Sequence, residues 1–566
     1  MYHYTEFDRL FVHQRAAQYR DQLERNLAGR LSDDEFRPLR LQNGWYIQRH
    51  APMLRIAVPY GEISARQLRA LGRIAREFDR GYGHFTTRQN LQFNWIPLAK
   101  SAEVMDLLAE VDMHGIQTSG NCIRNITSDA LAGVAADEVI DPRPYIEILR
   151  QWSTLHPEFA FLPRKFKIAV TGATEDRAAI GWHDIGLQMV KGAAGEIGFR
   201  VLVGGGMGRT PIIGTLIREF LPWQQILVFI EAIVRVYNRY GRRDNMYKAR
   251  IKILVKAEGQ KFIDAVNAEF DHILKDDLDG GAHLIPQAEL DRVQRSFVLP
   301  EGITEAGAPA APAATPSAAY GRWLQRNVHA HRLPGYRAVT LSLKRVGQAP
   351  GDVTGDQMDE AARIAEHFSH GELRVTHDQN LVLPWVRESD LPALWAAAKA
   401  ATFATPNIGL ITDMIACPGG DFCGLANARS IPVAADITDR FSDLDELYDI
   451  GDIDLHISGC INSCGHHHSG HIGILGVDKD GKEWYQVSLG GSDGSTLSGA
   501  AVPGKVIGPS FASDEVADAV EAVIETYRRQ RAANERFIDT VRRIGIDPFK
   551  GPANAVRRST ATAHAA

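Results

Sequence analysis

Four of the five cysteines fall into two close pairs: Cys417 and Cys423 in ACPGGDFCGL, and Cys460 and Cys464 in ISGCINSCGHHHSGHIG. Five residues separate the first pair and three the second, so neither has the two-residue spacing of a common zinc knuckle. Thiolates are soft ligands, and flanking glycines let backbone amides approach the sulfurs, which suits an iron–sulfur cluster. Zinc satisfies the same ligand count, and inert buried thiols are the third reading. His466, His467, His468 and His471 read as neighbours of such a centre or as polar loop residues, not as its ligands. Cys122 stands alone in GNCIRNITS and reads as a small buried side chain.

A second set of residues is cationic: Arg88 in TTRQN, Arg124 in GNCIRNITS, and Lys165 and Lys167 in RKFK. The two lysines alternate in what reads as a strand, which puts both on one face. At about 4 Å and an effective dielectric of about 20, two opposite unit charges attract by roughly 4 kcal/mol. Four converging cations therefore make an anion pocket. Taken singly, each is an ordinary solvated surface charge.

The elements that must position these residues occur twice. GEISARQLRALGRIAREFDRGYGHFTTRQNLQFNWI at 61–96 aligns without a gap on GDVTGDQMDEAARIAEHFSHGELRVTHDQNLVLPWV at 351–386, an offset of 290. The period is far too long for a solenoid and marks a duplicated domain. Each copy reads helix, turn, strand. Ser64 and Gln67 form a capping pair, Leu68, Leu71, Ile74, Ala75 and Phe78 an apolar stripe, and Gly81 the stop. A second echo pairs FKIAVTG with IDLHISG, DIGLQMV with HIGILGV, and GFRVLVGG with WYQVSLGG, all predicted strands. The copies differ where chemistry is expected. Arg88 faces Asp378 in the alignment, and Lys165 and Lys167 face Asp452 and Asp454. The first half keeps the cations and the second keeps the cysteines.

The fold class expected is α+β, built of α/β sandwiches and internally duplicated, with ferredoxin-like half-domains and two mixed α/β cofactor-binding domains. The division reads 1–49 as an N-terminal arm, 50–118 as half-domain copy one, and 119–300 as a substrate- and cofactor-binding domain. It continues with 301–320 as a loose Ala/Pro-rich linker, 321–408 as copy two, 409–550 as the cysteine-bearing domain, and 551–566 as a disordered tail. The segment 513–545 reads as one long amphipathic helix whose apolar stripe core packing explains. GGGMG at 204–208 lacks the GxGxxG pattern and there is no GK[ST], so no dinucleotide fingerprint or P-loop is present.

With 566 residues, 45% hydrophobic and 23% charged, the chain reads as an ordinary soluble protein of several domains. A net charge of −6 leaves no global basic footprint for nucleic acid or an anionic membrane. No apolar run approaches the about 18 residues of a membrane span, and the first residues lack a signal peptide's apolar stretch. Five sparse cysteines fit a reducing cytoplasm better than a disulfide framework.

These motifs in order, TTRQNLQ, NCIRNIT, LPRKFK, GFRVLVGGG, ACPGGDFC and GCINSCG, resemble the sulfite/nitrite reductase haemoprotein family over nearly the whole chain, nearest to the assimilatory sulfite reductase haemoprotein. The resemblance implies a 4Fe–4S cluster on Cys417, Cys423, Cys460 and Cys464, with Cys464 also the axial ligand of a sirohaem iron. It implies that Arg88, Arg124, Lys165 and Lys167 bind the substrate anion, the arginines as clamps and the lysines also as proton donors. Arg250 and Lys252 in RRDNMYKARIKILVK, and then Gln89 and Arg164, are its candidates for contacts to the macrocycle. Without the resemblance that run reads as a charged face on a strand. In the family a lysine two residues after the first accompanies sulfite enzymes and asparagine nitrite enzymes, so Lys167 favours sulfite. Electrons come from a separate donor, either ferredoxin or an NADPH-dependent flavoprotein, since no flavin or nicotinamide domain is apparent. The rival readings are nitrite reduction on the same scaffold, a non-catalytic zinc or cluster module, and a cluster-bearing electron carrier.

Overall fold

The computed structural model describes every residue except 49, 51, 277–282, 305–306, 309–315, 496–497 and 559–566. The chain forms two compact units. One comprises 1–206, 212–341 and 353–404; the other comprises 207–211, 342–352 and 405–566.

In the first unit the two ferredoxin-like copies exchange an edge. The helix Ala65–Phe78 opens on a capping box between Ser64 and Gln67 and buries Leu68, Leu71, Ile74 and Ala75. Its counterpart Gly355–Phe368 opens on the equivalent box between Thr354 and Gln357. The short strand before each helix joins the other copy's sheet. Glu62–Ser64 pairs antiparallel with Glu372–Val375, and Asp352–Thr354 lies beside Tyr82–Phe85. Backbone bonds repeat the exchange: Ala65 N donates to Gly371 O at 2.8 Å, and Gly355 N to Gly81 O at 2.9 Å. The two helices pack closely at their glycines. A Cβ on Gly72 would lie 2.9 Å from Gly355 O, and one on Gly355 2.8 Å from Gly72 O.

Also in this unit is a five-stranded sheet ordered Thr215–Pro222, Ile197–Val203, Ile185–Lys191, Ile168–Thr171, Thr127–Ser128. The last three strands are parallel, and Ile197–Val203 runs antiparallel to Ile185–Lys191. Val170, Leu187 and Val201 share a core with Phe229 and Ile233 of the helix Ile226–Tyr240. The second unit repeats the plan with Ile415–Ala416, Leu455–Ser458 and Ile472–Lys479 parallel and Lys482–Leu489 antiparallel. Its core joins Ile457, Ile474 and Val487 to Val520 and Ile524. The duplicated class read from the sequence is the class observed.

Several local expectations are corrected. The segment read as an N-terminal arm is structured over its described residues, 1–48. They form the helices Glu6–Leu27 and Asp33–Gln42 on two capping boxes and then the strand Trp45–Ile47, which pairs with Pro52–Ile56. The segment 513–545 breaks into Val516–Gln530 and Phe537–Ile544. Arg531 turns extended, and Tyr527 Oη donates to Glu535 O at 2.8 Å across the break. The start of the expected tail, 551–555, completes the helix Asp547–Ala555, in which Phe549 and Ala553 are buried, and Arg558 N reaches Glu515 Oε1 at 2.8 Å. Its remainder, 559–566, lies outside the described residues. The expected linker buries Ile303 and ends in the helix Ala318–Asn327, capped by Ser317. Residues 305–306 and 309–315 of it lie outside the described residues. The stretch after Arg250 is the helix Ile251–Glu258 rather than a strand.

Candidate active site

Lys165 and Lys167 stand just before the strand Ile168–Thr171, not inside it. They flank Phe166, which is buried and bridges to Ile123, so alternation still separates both lysines from the core. Lys167 N donates to Asp184 Oδ2 at 2.8 Å, and its carbonyl accepts from Ile185 N at 3.1 Å. Asp184 is fully buried and also takes the Arg250 guanidinium, whose Nη2 lies 2.7 Å from each carboxylate oxygen. Arg250 is the N-cap of Ile251–Glu258, which leaves its side chain free to reach across to the sheet.

Arg88 is buried on the turn between Tyr82–Phe85 and Leu91–Phe93. It donates to Thr127 Oγ1 at 2.8 Å, Asn125 O at 2.7 Å and Ile168 O at 3.3 Å. Burial pushes its pKa down to about 9, and Arg124 and Arg250 repel its charge further while Asp184 opposes them. Arg124 curls onto its own loop, bonding Thr118 O at 2.6 Å and Gly120 O at 2.7 Å. Arg164 is lowered by burial and then by Arg250 and Arg124. Lys252 is lowered to about 8 by burial and Arg250, and its Nζ reaches Gly206 O at 3.3 Å. Burial also holds His183 well below the ordinary histidine range, with Arg88 and Lys167 acting the same way. Arg88, Arg124, Arg164, Arg250 and Lys252 are thus linked by repulsion, Lys167 joins Arg88 in acting on His183, and Asp184 opposes the repulsion at Arg88 and Lys252. That is a site short of negative charge.

Gln89, a candidate for a contact to the macrocycle, spends its side chain on the scaffold. Its Oε1 accepts from Ser128 N and its Nε2 donates to Val375 O, both at 2.9 Å, and the side chain is fully buried at the seam between the copies. Gln379 mirrors it by donating to Phe85 O at 2.9 Å.

The four cysteines sit in the second unit. Cys417 follows the strand Ile415–Ala416, and Cys460 follows Leu455–Ser458. Gly459 N donates to Cys417 Sγ at 3.2 Å. Burial pushes the Cys417 thiol up to about 12, with Cys464 adding to the rise; Cys460 is raised by burial, Cys464 and Cys423. Cys464 thus lies within electrostatic reach of Cys417 and Cys460, and Cys423 within reach of Cys460. The glycines are needed for this approach: a Cβ on Gly459 would lie 2.7 Å from Gly419 Cα, and Gly419 has φ +62°. Among the described residues, no three Cys, His, Asp or Glu side chains gather as the shell of one metal ion. Four thiols around an iron–sulfur cube do not need to, because each binds its own iron. The donor set and its glycine cradle fit a 4Fe–4S cluster. Three of the histidines after Cys464 make contacts within the scaffold. His467 Nδ1 lies 3.0 Å from Ser463 Oγ, His468 Nε2 2.9 Å from Gly208 O, and His471 Nε2 2.9 Å from Ser498 Oγ.

Asp184, His183, His377 and Arg55 were not singled out by sequence. Arg55 lies on Pro52–Ile56, and its carbonyl accepts from Thr118 Oγ1 on the Arg124 loop at 2.9 Å. For Asp184 a signal existed: DIGLQMV over HIGILGV sets it opposite His471. The structure repeats that equivalence, since Lys167 N donates to Asp184 as Asp454 N donates to His471 Nδ1.

A duplicated α/β scaffold with a cation-rich site in one half and a thiol cluster in the other defines a redox protein that handles an anion. The family model described as "Nitrite and sulphite reductase 4Fe-4S domain" matches residues 119–274 and 410–555. The "Nitrite/Sulfite reductase ferredoxin-like half domain" model matches 46–111 and 334–401. The chain belongs to the nitrite and sulphite reductase family. Among its relatives is "Sulfite reductase [ferredoxin] 1" of Mycolicibacterium paratuberculosis, 27% identical over 497 residues, covering 86% of this chain and 81% of that one. "Ferredoxin--nitrite reductase, chloroplastic" of Betula pendula is 28% identical over 459 residues, covering 78% and 71%. The solved Mycobacterium tuberculosis NirA protein superposes with a TM-score of 0.75 at 25% identity, covering 94% of both chains.

Proposed function

We propose that this chain reduces sulfite to hydrogen sulfide in the cytoplasm, taking electrons from ferredoxin, with nitrite as the alternative substrate and an NADPH-dependent flavoprotein as the second donor reading. The observation that carries this is the linked set of cations answered by Asp184. Ferredoxin is supported by the names of the relatives. Among the described residues no helix is long and apolar enough to cross a membrane.

Cys417, Cys423, Cys460 and Cys464 would hold the 4Fe–4S cluster, with Cys464 also reaching the sirohaem iron. Arg164, Arg250 and Lys252 would meet the carboxylates of the macrocycle. When bound, these cofactors would supply one-electron redox chemistry. The residues around the anion do the rest. Three N–H bonds of Arg88 go to protein oxygens, which fixes the guanidinium and leaves two of its five for the anion. Arg124 is held in the same way by its loop. Both guanidinium groups act as clamps. Sulfite takes up six electrons and sheds its oxygens as water, so each oxygen needs protons. The ammonium groups of Lys165 and Lys167 can give them up and be recharged from solvent.

The test is kcat/KM for sulfite and for nitrite on the purified holoenzyme with reduced ferredoxin. Sulfite is expected to be the better substrate. A higher value for nitrite would reverse the substrate assignment, and no turnover with ferredoxin would remove it as donor.

A further inference from the structure

His377 of the second copy occupies the position that Thr87 holds in the first. Its imidazole crosses the seam between the copies. Nδ1 lies 3.1 Å from Thr87 O and Nε2 lies 3.1 Å from Ser128 O. These two carbonyls bracket Arg88. Thr87 is the residue before it, and Ser128 follows Thr127, whose hydroxyl takes Arg88 Nη1 at 2.8 Å. Gln89 ties the same segments a second time through Ser128 N at 2.9 Å. Gln89 itself holds a left-handed φ of +56°, so the turn is kept in a conformation that needs outside support. Burial, with Arg88 adding to it, pushes His377 down to about 4, so the ring is neutral at working pH. A neutral imidazole has a single N–H, and it donates to one carbonyl at a time.

We infer that His377 is a positioning residue for the anion clamp: wedged between Thr87 O and Ser128 O, it donates to one of them and fills the space between the turn that carries Arg88 and the strand Thr127–Ser128, and so aims the guanidinium. This rests on the reading of Arg88 as part of that clamp. The second copy, which has Asp378 where the first has its arginine, would thus still serve the first copy's site through the neighbouring residue.

The test measures KM and kcat for sulfite on the holoenzyme, with a chemical one-electron reductant so that donor docking does not enter. His377→Ala is expected to raise KM about tenfold with kcat within about threefold and an unchanged visible spectrum, the pattern of lost substrate binding. His377→Gln, which keeps one donor, is expected to recover part of that loss. In an Arg88→Lys background, His377→Ala is expected to add less than about twofold, because little is left to aim. If Arg88→Lys raises KM and neither His377 variant does, the inference is overturned and the clamp stands. If Arg88→Lys leaves KM unchanged, the clamp reading fails and the inference with it. Fully additive effects in the double variant also overturn it. Should His377→Ala not assemble its cofactors, His377→Gln decides alone: a raised KM supports the inference and an unchanged one overturns it.

Discussion

Asp184 serves two groups at once, the backbone of Lys167 and the guanidinium of Arg250. It is fully buried beside several cations, so removing its charge leaves them uncompensated. Asp184→Asn is expected to destabilise the protein by about 3–5 kcal/mol in urea unfolding; a loss under about 1 kcal/mol would mean that Arg250 finds another partner. Lys167→Asn is expected to move the ratio of sulfite to nitrite turnover toward nitrite, and an unaltered ratio would remove Lys167 as the discriminator. Asp378→Ala is the matching control. Its side chain is exposed, and sulfite turnover is expected to stay near wild type. Arg88, Lys165 and Lys167 stood out in the sequence because the duplication exposes where the halves differ, and Arg124 because it adds a cation on a Gly/Asn-rich loop. His377 did not, because a single histidine carries no spacing signal, and Asp184 had only its alignment opposite His471 to mark it. Their roles appear only once burial and the seam between copies are known.

At the level of elements, the paired helices of the two ferredoxin-like copies were legible from their caps and apolar stripes, and the central strands from their echo in the second half. The strand exchange was not. Glu62–Ser64 and Asp352–Thr354 are too short to show a period, and the sheet each joins is decided by long-range pairing. The breaks in the C-terminal helices were hidden for a related reason, since an apolar stripe continues on either side of a turn. The exchange makes the contact of the paired helices at Gly72 and Gly355 a structural requirement. Gly72→Val is expected to cost about 1–3 kcal/mol by forcing the helices apart, checked by urea unfolding; a neutral effect would show that the contact yields. Lys252 gives a pH test. Its folded pKa of about 8 lies below the ordinary 10.5, so the cost of its buried charge is complete below pH 8 and is relieved as pH rises toward 10.5. In protein stripped of cofactors, Lys252→Met is expected to stabilise by up to about 3 kcal/mol at pH 7 and by much less at pH 10. An equal gain at both values would contradict the burial account.

For the molecule as a whole, duplication followed by divergence explains the division of labour. One scaffold was used twice; the first copy's second domain collects cations and the second copy's collects thiols. Cys464 is the proposed link between cluster and haem, and Cys464→Ser is expected to abolish their coupled spectrum while leaving the fold intact by circular dichroism. The central claim is that both cofactors reside in this chain. It is tested most directly by the visible absorption spectrum of protein produced with a sirohaem supply, taken together with its iron content. Sirohaem bands with about five irons per chain, four in the cluster and one in the haem, are the expected result. A colourless protein, or one holding zinc in place of iron, would contradict the account and return the thiol cluster to a structural role.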